Sequence, residues 1–371
     1  MKVTFPHMGN TYICVKALLD DLNVDYIIPP YNNKKALEIG TRHAPELACL
    51  PLKINIGNFM EAYEKGADTI LMAGGRGPCR FGYYGEMHNE ILRDLGLDIE
   101  VINLEVPNSG YREFLKRVRR ITGTVNIYKI SKAILNATRV SVEADNLEKL
   151  CCRVRPREIK KGEVDRIFKD FMNGIGRVKG SKQILKHIGD TRRKLLNVRI
   201  DEKYEPLRVG IVGEIFTSID WYANFNLEKK LGEMGVEADR AITTSGFIIE
   251  HMIKNVLHIP KDLRYAKAAE PFLRTAIGGH AQETIGNMVL YAENGYDGVI
   301  QIYPLTCMPE IVAESIIPAV QKKYNIPVLT LIIDEMTGES GYQTRLEAFV
   351  DLLNRRKELS KAEKRWAFSG N

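Results

Sequence analysis

Buried-type strands alternate with helices along two separate stretches of this chain, and this alternation limits the fold more than any other feature. In the first 125 residues or so, short apolar runs such as Asp68–Ala73 are separated by segments with apolar residues at helical spacing, such as Thr11–Leu22. The same pattern returns later, with apolar runs at Leu207–Gly213 and Val328–Ile333. Strands that alternate with helices at this spacing are typical of a parallel, doubly wound sheet. The sequence therefore predicts an α/β protein with two parallel-sheet domains.

The strand signal fades between these two stretches. Long basic amphipathic segments there fit helices, at Glu113–Ile121, Ile130–Leu150, Val164–Met172 and Lys182–Leu195. A chain of 371 residues is also long for a single core. We therefore predict an N-terminal α/β domain over residues 1–125, a helical bridge over 126–203 and a C-terminal α/β domain over 204–371.

The composition indicates a cytoplasmic protein. The sequence contains no run of about 18 apolar residues, so no membrane-spanning helix and no membrane association are expected. Met1–Pro6 fits a first strand better than a signal peptide, because polar residues interrupt the apolar run at once. Six cysteines among 371 residues is far below the density of a disulfide scaffold. In a reducing compartment these thiols would be available as ligands or nucleophiles.

Positive charge is concentrated in one part of the chain. Residues 151–200 contain 15 Lys or Arg against 5 Asp or Glu, whereas the whole chain has a net charge of +6. A solvated helical face is the simplest interpretation, and a docking surface for an acidic partner protein or for ligand phosphates is the alternative. Nucleic acid is not an expected partner, because the stretch lacks interleaved aromatic residues and any recognition motif.

Three cysteines, Cys49, Cys79 and Cys307, lie in turns next to proline, and glycines also precede Cys79. Two of them follow strand-like runs, Asp68–Ala73 and Gly298–Tyr303. Ligands of open α/β sheets collect at the carboxyl ends of the strands. We therefore expect Cys79 and Cys307 to face each other across a cleft between the domains, with Cys49 completing a three-thiolate site.

A three-thiolate site suits a metal centre better than a set of core thiols. An iron–sulfur cubane held by three thiolates keeps an open position on its fourth iron. The spacing does not select the metal, but the absence of Cys-x-x-Cys argues against zinc ribbons and ferredoxin-type runs. For a single cysteine the simplest interpretation is a small buried hydrophobe. That interpretation applies to Cys14 and to the adjacent pair Cys151 and Cys152.

Other polar residues near these turns are weaker candidates. Arg80 is the best of them, because its charge could offset that of a thiolate-bound cluster or hold an anionic substrate. His280 is more simply a capping or surface histidine than a proton donor. Glu310 lies on a first helical turn, where the helix dipole stabilises a carboxylate. No Gly-x-x-x-x-Gly-Lys-[Ser/Thr] occurs, so nucleotide hydrolysis by this chain is not expected.

Three segments together resemble the 2-hydroxyacyl-CoA dehydratase superfamily, most closely its activase-related, CoA-dehydratase-like branch. They are Cys49-Leu-Pro51-x-Lys53, Gly77-Pro-Cys79-Arg-Phe-Gly-Tyr-Tyr84 and Thr306-Cys307-Met-Pro309-Glu310. The segment Asp334–Phe349 is also similar to the closing segment of that superfamily. The resemblance extends from Met8 to about Leu353 and is weakest in the helical middle.

The resemblance implies two flavodoxin-like or Rossmann-like domains with a helical insert, and a [4Fe-4S] cluster in the interdomain cleft. It assigns the cluster ligands to Cys49, Cys79 and Cys307. It also implies a separate ATP-dependent iron–sulfur activator protein, with this chain as the acceptor of low-potential electrons. The expected chemistry is that of a dehydratase or reductase acting on a small molecule or an acyl-CoA, in a homodimer or heterodimer. The match identifies neither a CoA pocket nor a catalytic residue.

Three alternatives stay open on the sequence. The first is an electron-transfer or scaffold iron–sulfur protein without its own substrate, whose cluster takes a fourth ligand such as Cys14 or Cys152. The second is a zinc-binding or metal-free α/β protein that binds a nucleotide or CoA in the cleft. The third, a double cubane held by all six cysteines, is disfavoured because Cys14 lies in an apolar helical pattern.

Overall fold

The computed structural model describes residues 1–72, 79–104, 111–254 and 263–369. It is a mixed α/β structure with two sheets of parallel strands. The first sheet contains β1 (Val3–Thr4), β2 (Thr69–Met72) and β3 (Glu100–Asn103), in that spatial order. On its other side β1 pairs with Tyr26 through an isolated parallel bridge. The largely apolar run Val24–Ile28 predicts a strand, which is present only as that bridge. Pro29 and Pro30 follow it without backbone N–H donors.

The second sheet contains β4 (Leu207–Gly213), β5 (Val236–Arg240), β6 (Gly298–Pro304) and β7 (Val328–Ile333). Its spatial order is β5-β4-β6-β7, which is 2-1-3-4 when the strands are counted within this sheet. If the bridge at Tyr26 is counted as a second strand, the first sheet has the same 2-1-3-4 order. The later part of the chain thus repeats the topology of the first.

Helices surround both sheets, and the segment between β3 and β4 is helical. The helices are α1 (Thr11–Leu22), α2 (Lys34–His43), α3 (Leu50–Glu64), α4 (Tyr84–Asp94), α5 (Tyr111–Thr122), α6 (Ile127–Val154), α7 (Glu163–Ile175), α8 (Ser181–Leu196), α9 (Ile215–Ile219), α10 (Leu227–Glu233), α11 (Thr244–Phe247), α12 (Arg264–Ala269), α13 (Ala281–Glu293), α14 (Met308–Tyr324) and α15 (Glu339–Ser369). A π-helical segment, Ile248–Ile253, follows α11 directly. No helix in the described ranges is both long and apolar enough to cross a membrane.

The helices of the middle segment share a core with the first sheet. Buried side chains of α6, α7 and α8, among them Leu147, Phe171 and Ile184, cluster with Ile13 of α1 and with Val3 of β1. Each such side chain contributes about 1.5–3 kcal/mol when fully buried. The predicted helices of this segment are confirmed, whereas the domain boundaries remain a prediction.

Helix α3 packs against the cores of both sheets. Its Leu50 and Ile54 belong to the cluster around the second sheet, whereas Leu52 and Phe59 pack with Ile70 of the first. The sequence pattern predicts this helix over Asn55–Lys65, so the observed helix begins five residues earlier. Its position near both cores explains why almost the whole of its first half is buried.

Two glycines allow α2 and α3 to touch backbone to backbone. A Cβ atom on Gly40 would lie 1.6 Å from the carbonyl oxygen of Lys53, and one on Gly57 would lie 1.9 Å from that of Ala36. No side chain larger than hydrogen fits at either position. This crossing sets the position of α3 and of the residue that precedes it, Cys49.

The segments that follow β1 and β4 meet each other. The backbone N–H of Gly9 donates to Asp220 Oδ2 at 3.0 Å, and the Asn32 side-chain amide donates to the same oxygen at 2.9 Å. Asp220 is 2% exposed, so both bonds are inside the protein. The segment that follows β1 of the first sheet is therefore held against the segment that follows β4 of the second sheet.

Candidate functional site

The three cysteines singled out in the sequence share one structural setting, because each lies immediately before a helix. Cys49 precedes α3, Cys307 precedes α14, and Cys79 precedes the 3₁₀ turn Arg80–Tyr83 that continues into α4. Their backbones are extended, with φ near −70° in all three cases. All three thiols are half-buried. A helix start offers unpaired N–H groups and a partial positive charge, both of which stabilise a thiolate.

Prolines and one strained residue explain why two of these helices start where they do. Pro51 and Pro309 occupy the second position of their helices, where the missing N–H costs nothing. Thr306 has φ of 70°, a left-handed conformation that is uncommon outside glycine. The sharp turn at Thr306 brings Cys307 out of the line of β6 to the start of α14.

Contacts join the segments that carry the cysteines. The Thr306 hydroxyl donates to the carbonyl of Leu47 at 3.2 Å, which ties the Cys307 turn to the Cys49 turn. The Cys49 Sγ and the Tyr84 Oη are 2.5 Å apart, and Tyr84 begins the helix that follows Cys79. The structure thus brings Cys49 and Cys307 onto one part of the surface and links Cys49 to the first turn of α4. Residues 73–78, which precede Cys79, lie outside the described residues.

The Cys307 thiol is strongly disfavoured as a thiolate. Burial raises its pKa well above the ordinary value, and the charges of Glu214, Glu310 and Cys49 raise it further. The backbone N–H of Glu310 opposes this by donating to the sulfur. Cys307 therefore carries a proton in the absence of a cation, and a metal that replaced this proton would relieve the cost.

Glu310 lies in a closed polar pocket behind Cys307. Its carboxylate is fully buried and accepts hydrogen bonds from the Thr284 hydroxyl at 3.0 Å and from the Gln301 amide at 3.1 Å. Burial raises the pKa of Glu310 to about 7, with smaller contributions from Glu214 and Glu283. Glu310 lies in the first turn of α14, as the sequence indicated, and burial is the largest cause of its raised pKa.

Lys53, one turn beyond Cys49, forms a buried ion pair. Its ammonium lies 2.5 Å from Glu335, which follows β7, and the Lys53 side chain is 4% exposed. This pair connects α3 to the edge of the second sheet on the same side as Cys49. Lys53 belongs to the sequence segment around Cys49, but the segment gives no sign of its partner 282 residues away.

The chemistry of the cysteines fits a cluster, although no single-ion site is preformed. In the part of the chain that the structure describes, no group of three or more His, Cys, Asp or Glu side chains is placed to hold a metal ion. A cubane takes one thiolate at each of its irons, so its ligands are not gathered around one point. Thiolates are soft ligands that favour iron–sulfur clusters and zinc. The three half-buried thiols are of the ligand type that a cluster needs, and the contacts described above bring Cys49 and Cys307, but not the Cys79 sulfur, into one region.

The remaining cysteines are core residues, as predicted. Cys14 lies in α1, and its thiol donates to the Thr11 carbonyl at 3.1 Å. Cys151 and Cys152 lie in the last turns of α6. Like Cys14, both are buried. Burial raises the pKa of Cys14 and of Cys151 to about 12 and raises that of Cys152 as well. In their protonated form these thiols are poor nucleophiles, and their burial inside helices sets them apart from the three half-buried thiols.

The structure describes the side chain of His280 but not that of Arg80, the two other candidate site residues. Arg80 begins the 3₁₀ turn after Cys79, and its side chain lies outside the described residues, so its role stays a prediction. His280 precedes α13, and its Nε2 lies 3.9 Å from Glu283. That position and partner are those of a helix-start histidine, which was the simpler expectation.

Two cavities lie away from Cys49, Cys79 and Cys307, and the buried Cys152 lines the smaller of them. One, of about 650 Å³, is lined by Arg208, Arg240 and Tyr296 among others. The second, of about 200 Å³, is lined by Glu148, Arg240 and other residues. Arg240 donates to Glu148 at 2.7 Å inside this region, so the charges there are largely paired with each other. These cavities do not touch the candidate site.

Sequence reasoning missed two residues of the site. Tyr84 was part of the segment around Cys79, yet nothing in the sequence shows that its hydroxyl reaches Cys49. Glu214 follows β4 and raises the pKa of Cys307 from across the sheet edge. Its place directly after an apolar strand, Leu207–Gly213, was the available signal, because residues at the carboxyl ends of parallel strands converge.

Comparison with known proteins adds no family assignment. The chain matches no protein-family model, and no curated protein is significantly similar to it in sequence. Its function must therefore be inferred from the site itself.

Proposed function

We propose that this chain is an iron–sulfur protein of the 2-hydroxyacyl-CoA dehydratase type. Cys49, Cys79 and Cys307 bind a [4Fe-4S] cluster and leave one iron without a protein ligand. The chain accepts low-potential electrons from an ATP-dependent activator protein and uses them in reductive or dehydration chemistry. The observation that carries this proposal is the shared setting of the three thiols, each half-buried at the start of a separate helix.

The topology supports the proposal. The 2-1-3-4 strand order is that of flavodoxin-like sheets, which bind ligands outside the carboxyl ends of their strands. Cys307 lies three residues beyond β6, and Cys79 lies on the connection that follows β2. In the proposal, two flavodoxin-like domains therefore place the cluster in the cleft between them.

Hydrogen-bond donors near the cysteines would stabilise a negatively charged cluster, and they act against the carboxylates of Glu214 and Glu310, which disfavour negative charge at Cys307. The N–H groups at three helix starts can donate to thiolates and sulfides, and hydrogen bonds of this kind raise the reduction potential of a cluster. Tyr84 is placed to donate to the Cys49 sulfur, and the Glu310 N–H already donates to Cys307. Arg80, next to Cys79, would add positive charge. When bound, the cluster supplies one-electron chemistry at its open iron.

Substrate, assembly and location belong to the same proposal. We propose a small molecule or an acyl-CoA as substrate, a homodimer or heterodimer as the working assembly, and the cytoplasm as the compartment. An electron-transfer protein with a fourth protein ligand is the rival. Cys14 and Cys152, the ligands available for it, are buried inside α1 and α6 and do not lie in turns at helix starts.

The test is anaerobic purification followed by iron and acid-labile sulfide analysis and an EPR spectrum of the reduced protein. We expect about four irons and four sulfides per chain and a reducible cubane signal. Cys49→Ala, Cys79→Ala and Cys307→Ala should each lose most of the iron, whereas Cys14→Ala, the matched core control, should keep it. Full iron in the first three variants, or a colourless wild-type protein after reconstitution, would refute the proposal.

Binding of a small ligand distinguishes a cluster with one open iron from an electron-transfer cluster with four protein ligands. An open iron changes its EPR spectrum when a ligand such as cyanide or a thiol is added. A cluster with four protein ligands does not respond, so an unchanged spectrum would favour the electron-transfer reading.

A further inference from the structure

The first half of α6 exposes an apolar face to solvent. Ile127, Tyr128, Ile134 and Leu135 are 70%, 76%, 41% and 65% exposed. They form two pairs that are seven residues apart, so they lie along one side of the helix. Ser131 lies between the two pairs on the same side, and the half-buried Thr138 lies one turn beyond Ile134 on that side. We call these six residues the α6 stripe.

The α6 stripe is not needed by the protein's own core. The opposite side of the same helix carries the buried residues Ala133, Ala137 and Val140, of which Ala133 and Val140 belong to the core cluster that includes residues of α1 and α8. A helix with one buried apolar face normally exposes polar residues on the other. Large apolar side chains grouped on an exposed face instead mark an interaction surface.

The part of α6 that carries the stripe is basic. Residues 127–140 contain Lys129, Lys132 and Arg139 and no Asp or Glu. Lys132 and Arg139 are exposed, are seven residues apart, and follow one border of the stripe. A partner of the stripe therefore meets a row of positive charge beside the apolar side chains.

We propose that the α6 stripe is the docking site for an amphipathic helix of another protein, one that carries Asp or Glu beside its own apolar face. The exposed length from Ile127 to Thr138 equals about three helical turns, which is the length of a typical contact between two helices. Apolar contact would supply affinity, and Lys132 and Arg139 would supply orientation and specificity. This inference does not depend on the bound cluster.

The charges argue against a second copy of this chain as the occupant. A symmetric dimer through the stripe would place the same surface on both sides of the contact. Lys132 and Arg139 of one copy would then lie close to the same basic row of the other, which is unfavourable.

The small residues in the stripe argue against a lipid surface. Ser131 and Thr138 lie along its centre, where small side chains let the backbone of a second helix come close. The Thr138 hydroxyl already donates to the Ile134 carbonyl at 2.9 Å, so covering it leaves no unpaired donor. Insertion of large apolar side chains into a bilayer favours membrane binding, whereas hydroxyl groups at these central positions do not.

The experiment uses two fluorescein-labelled synthetic helical peptides with the same leucine stripe, one flanked by Glu and the other by Lys. Anisotropy titration with the full-length protein should give saturable binding of the Glu peptide, at least tenfold tighter than binding of the Lys peptide. The double variant Ile134→Ser/Leu135→Ser should lose this binding. Lys132→Glu/Arg139→Glu should reverse the preference. Leu196→Ser, an equally exposed leucine on α8, should change nothing.

Three outcomes would overturn the inference. The first is equal affinity of wild-type protein for both peptides, a result that does not depend on any variant folding. The second is stripe-dependent binding to phosphatidylglycerol vesicles without binding of the Glu peptide, which would identify a lipid surface. The third is a concentration-dependent dimer in sedimentation that Leu135→Ser dissociates, which would identify a second copy of this chain.

Discussion

Lys53 and Glu335 form an ion pair that joins the helix behind Cys49 to the segment after the strand β7. The two charged atoms are 2.5 Å apart, and the lysine side chain is almost completely buried. Because α3 also packs against the cores of both sheets, the pair fixes the helix at the point where the candidate ligand lies. The distance between the two residues in sequence means that the pair forms only in the folded chain.

Loss of the Glu335 carboxylate should destabilise the protein more than loss of both partners. Glu335→Gln leaves a buried ammonium without a counter-charge, which costs about 3 kcal/mol, the low end for a buried pair because Glu335 is partly exposed. The double variant Lys53→Met/Glu335→Gln should recover most of this loss. Urea unfolding of the cluster-free protein measures both effects. Equal stability of the two variants would show that the pair contributes little.

The Tyr84 hydroxyl should tune the cluster without holding it. Tyr84→Phe removes the hydrogen bond to the Cys49 sulfur, so the reduction potential should become more negative while the iron content stays the same. An EPR-monitored redox titration gives the potential. Tyr83→Phe, at an exposed neighbouring position, is the control. A potential that does not move in Tyr84→Phe would mean that this hydroxyl makes no contact with a bound cluster's ligand.

His88 should make the protein less stable in mild acid. Burial lowers the pKa of His88 from 6.5 to about 4, with the Leu52 carbonyl opposing the shift. The unfolded chain therefore binds the proton more tightly, and the stabilising contribution is complete above pH 6.5 and is lost as the pH falls through about 4. The loss amounts to about 3 kcal/mol.

Urea unfolding between pH 7.5 and pH 4.5 checks this prediction. The variant His88→Leu removes the titrating group, so its stability should fall less with acid than that of the wild type. His43→Gln changes an exposed histidine and should leave the wild-type pH dependence in place. Parallel pH profiles for wild type and His88→Leu would contradict the assignment.

The contact between α2 and α3 should tolerate no side chain at Gly40. In Gly40→Ala the new methyl group would overlap the Lys53 carbonyl, which should destabilise the protein by about 3 kcal/mol. It should also reduce iron loading, since α3 carries Cys49 at its start. Gly189→Ala is the control, because that glycine lies inside α8 with open space around it. It should raise stability by about 0.5–1 kcal/mol. Thermal unfolding gives the stability of Gly40→Ala and Gly189→Ala, and iron analysis gives their iron content.

Uninterrupted apolar runs made parts of the fold predictable. The strands Leu207–Gly213 and Val328–Ile333 and the helix Thr11–Leu22 have the bounds that their patterns indicated. The strand Val236–Arg240 was missed, because charged residues alternate with apolar ones and the segment gives no buried-type run. Helix α3 was predicted to begin at Asn55, although Pro51 fits its second position well.

From the sequence, the positions of the site residues could be predicted only where a residue closely follows an apolar strand. The position of Cys307 beyond an apolar strand placed it at a sheet edge from the sequence alone. The contacts that organise the site, Tyr84 with Cys49 and Thr306 with Leu47, come from different helices and turns. Such contacts depend on how helices pack, and no local pattern in the sequence encodes them.

The wide separation of the cysteines has a consequence for the biogenesis of the protein. Cys49 and Cys307 are 258 positions apart (307 minus 49), so a ribosome adding roughly 5–20 residues per second needs on the order of 10 s to 1 min to make the intervening chain. Throughout that time the nascent protein exposes only part of its thiol set. If the three cysteines bind the proposed cluster, iron and sulfide have to be delivered after Cys307 has been made, and an interrupted polypeptide has no complete set of ligands with which to capture them.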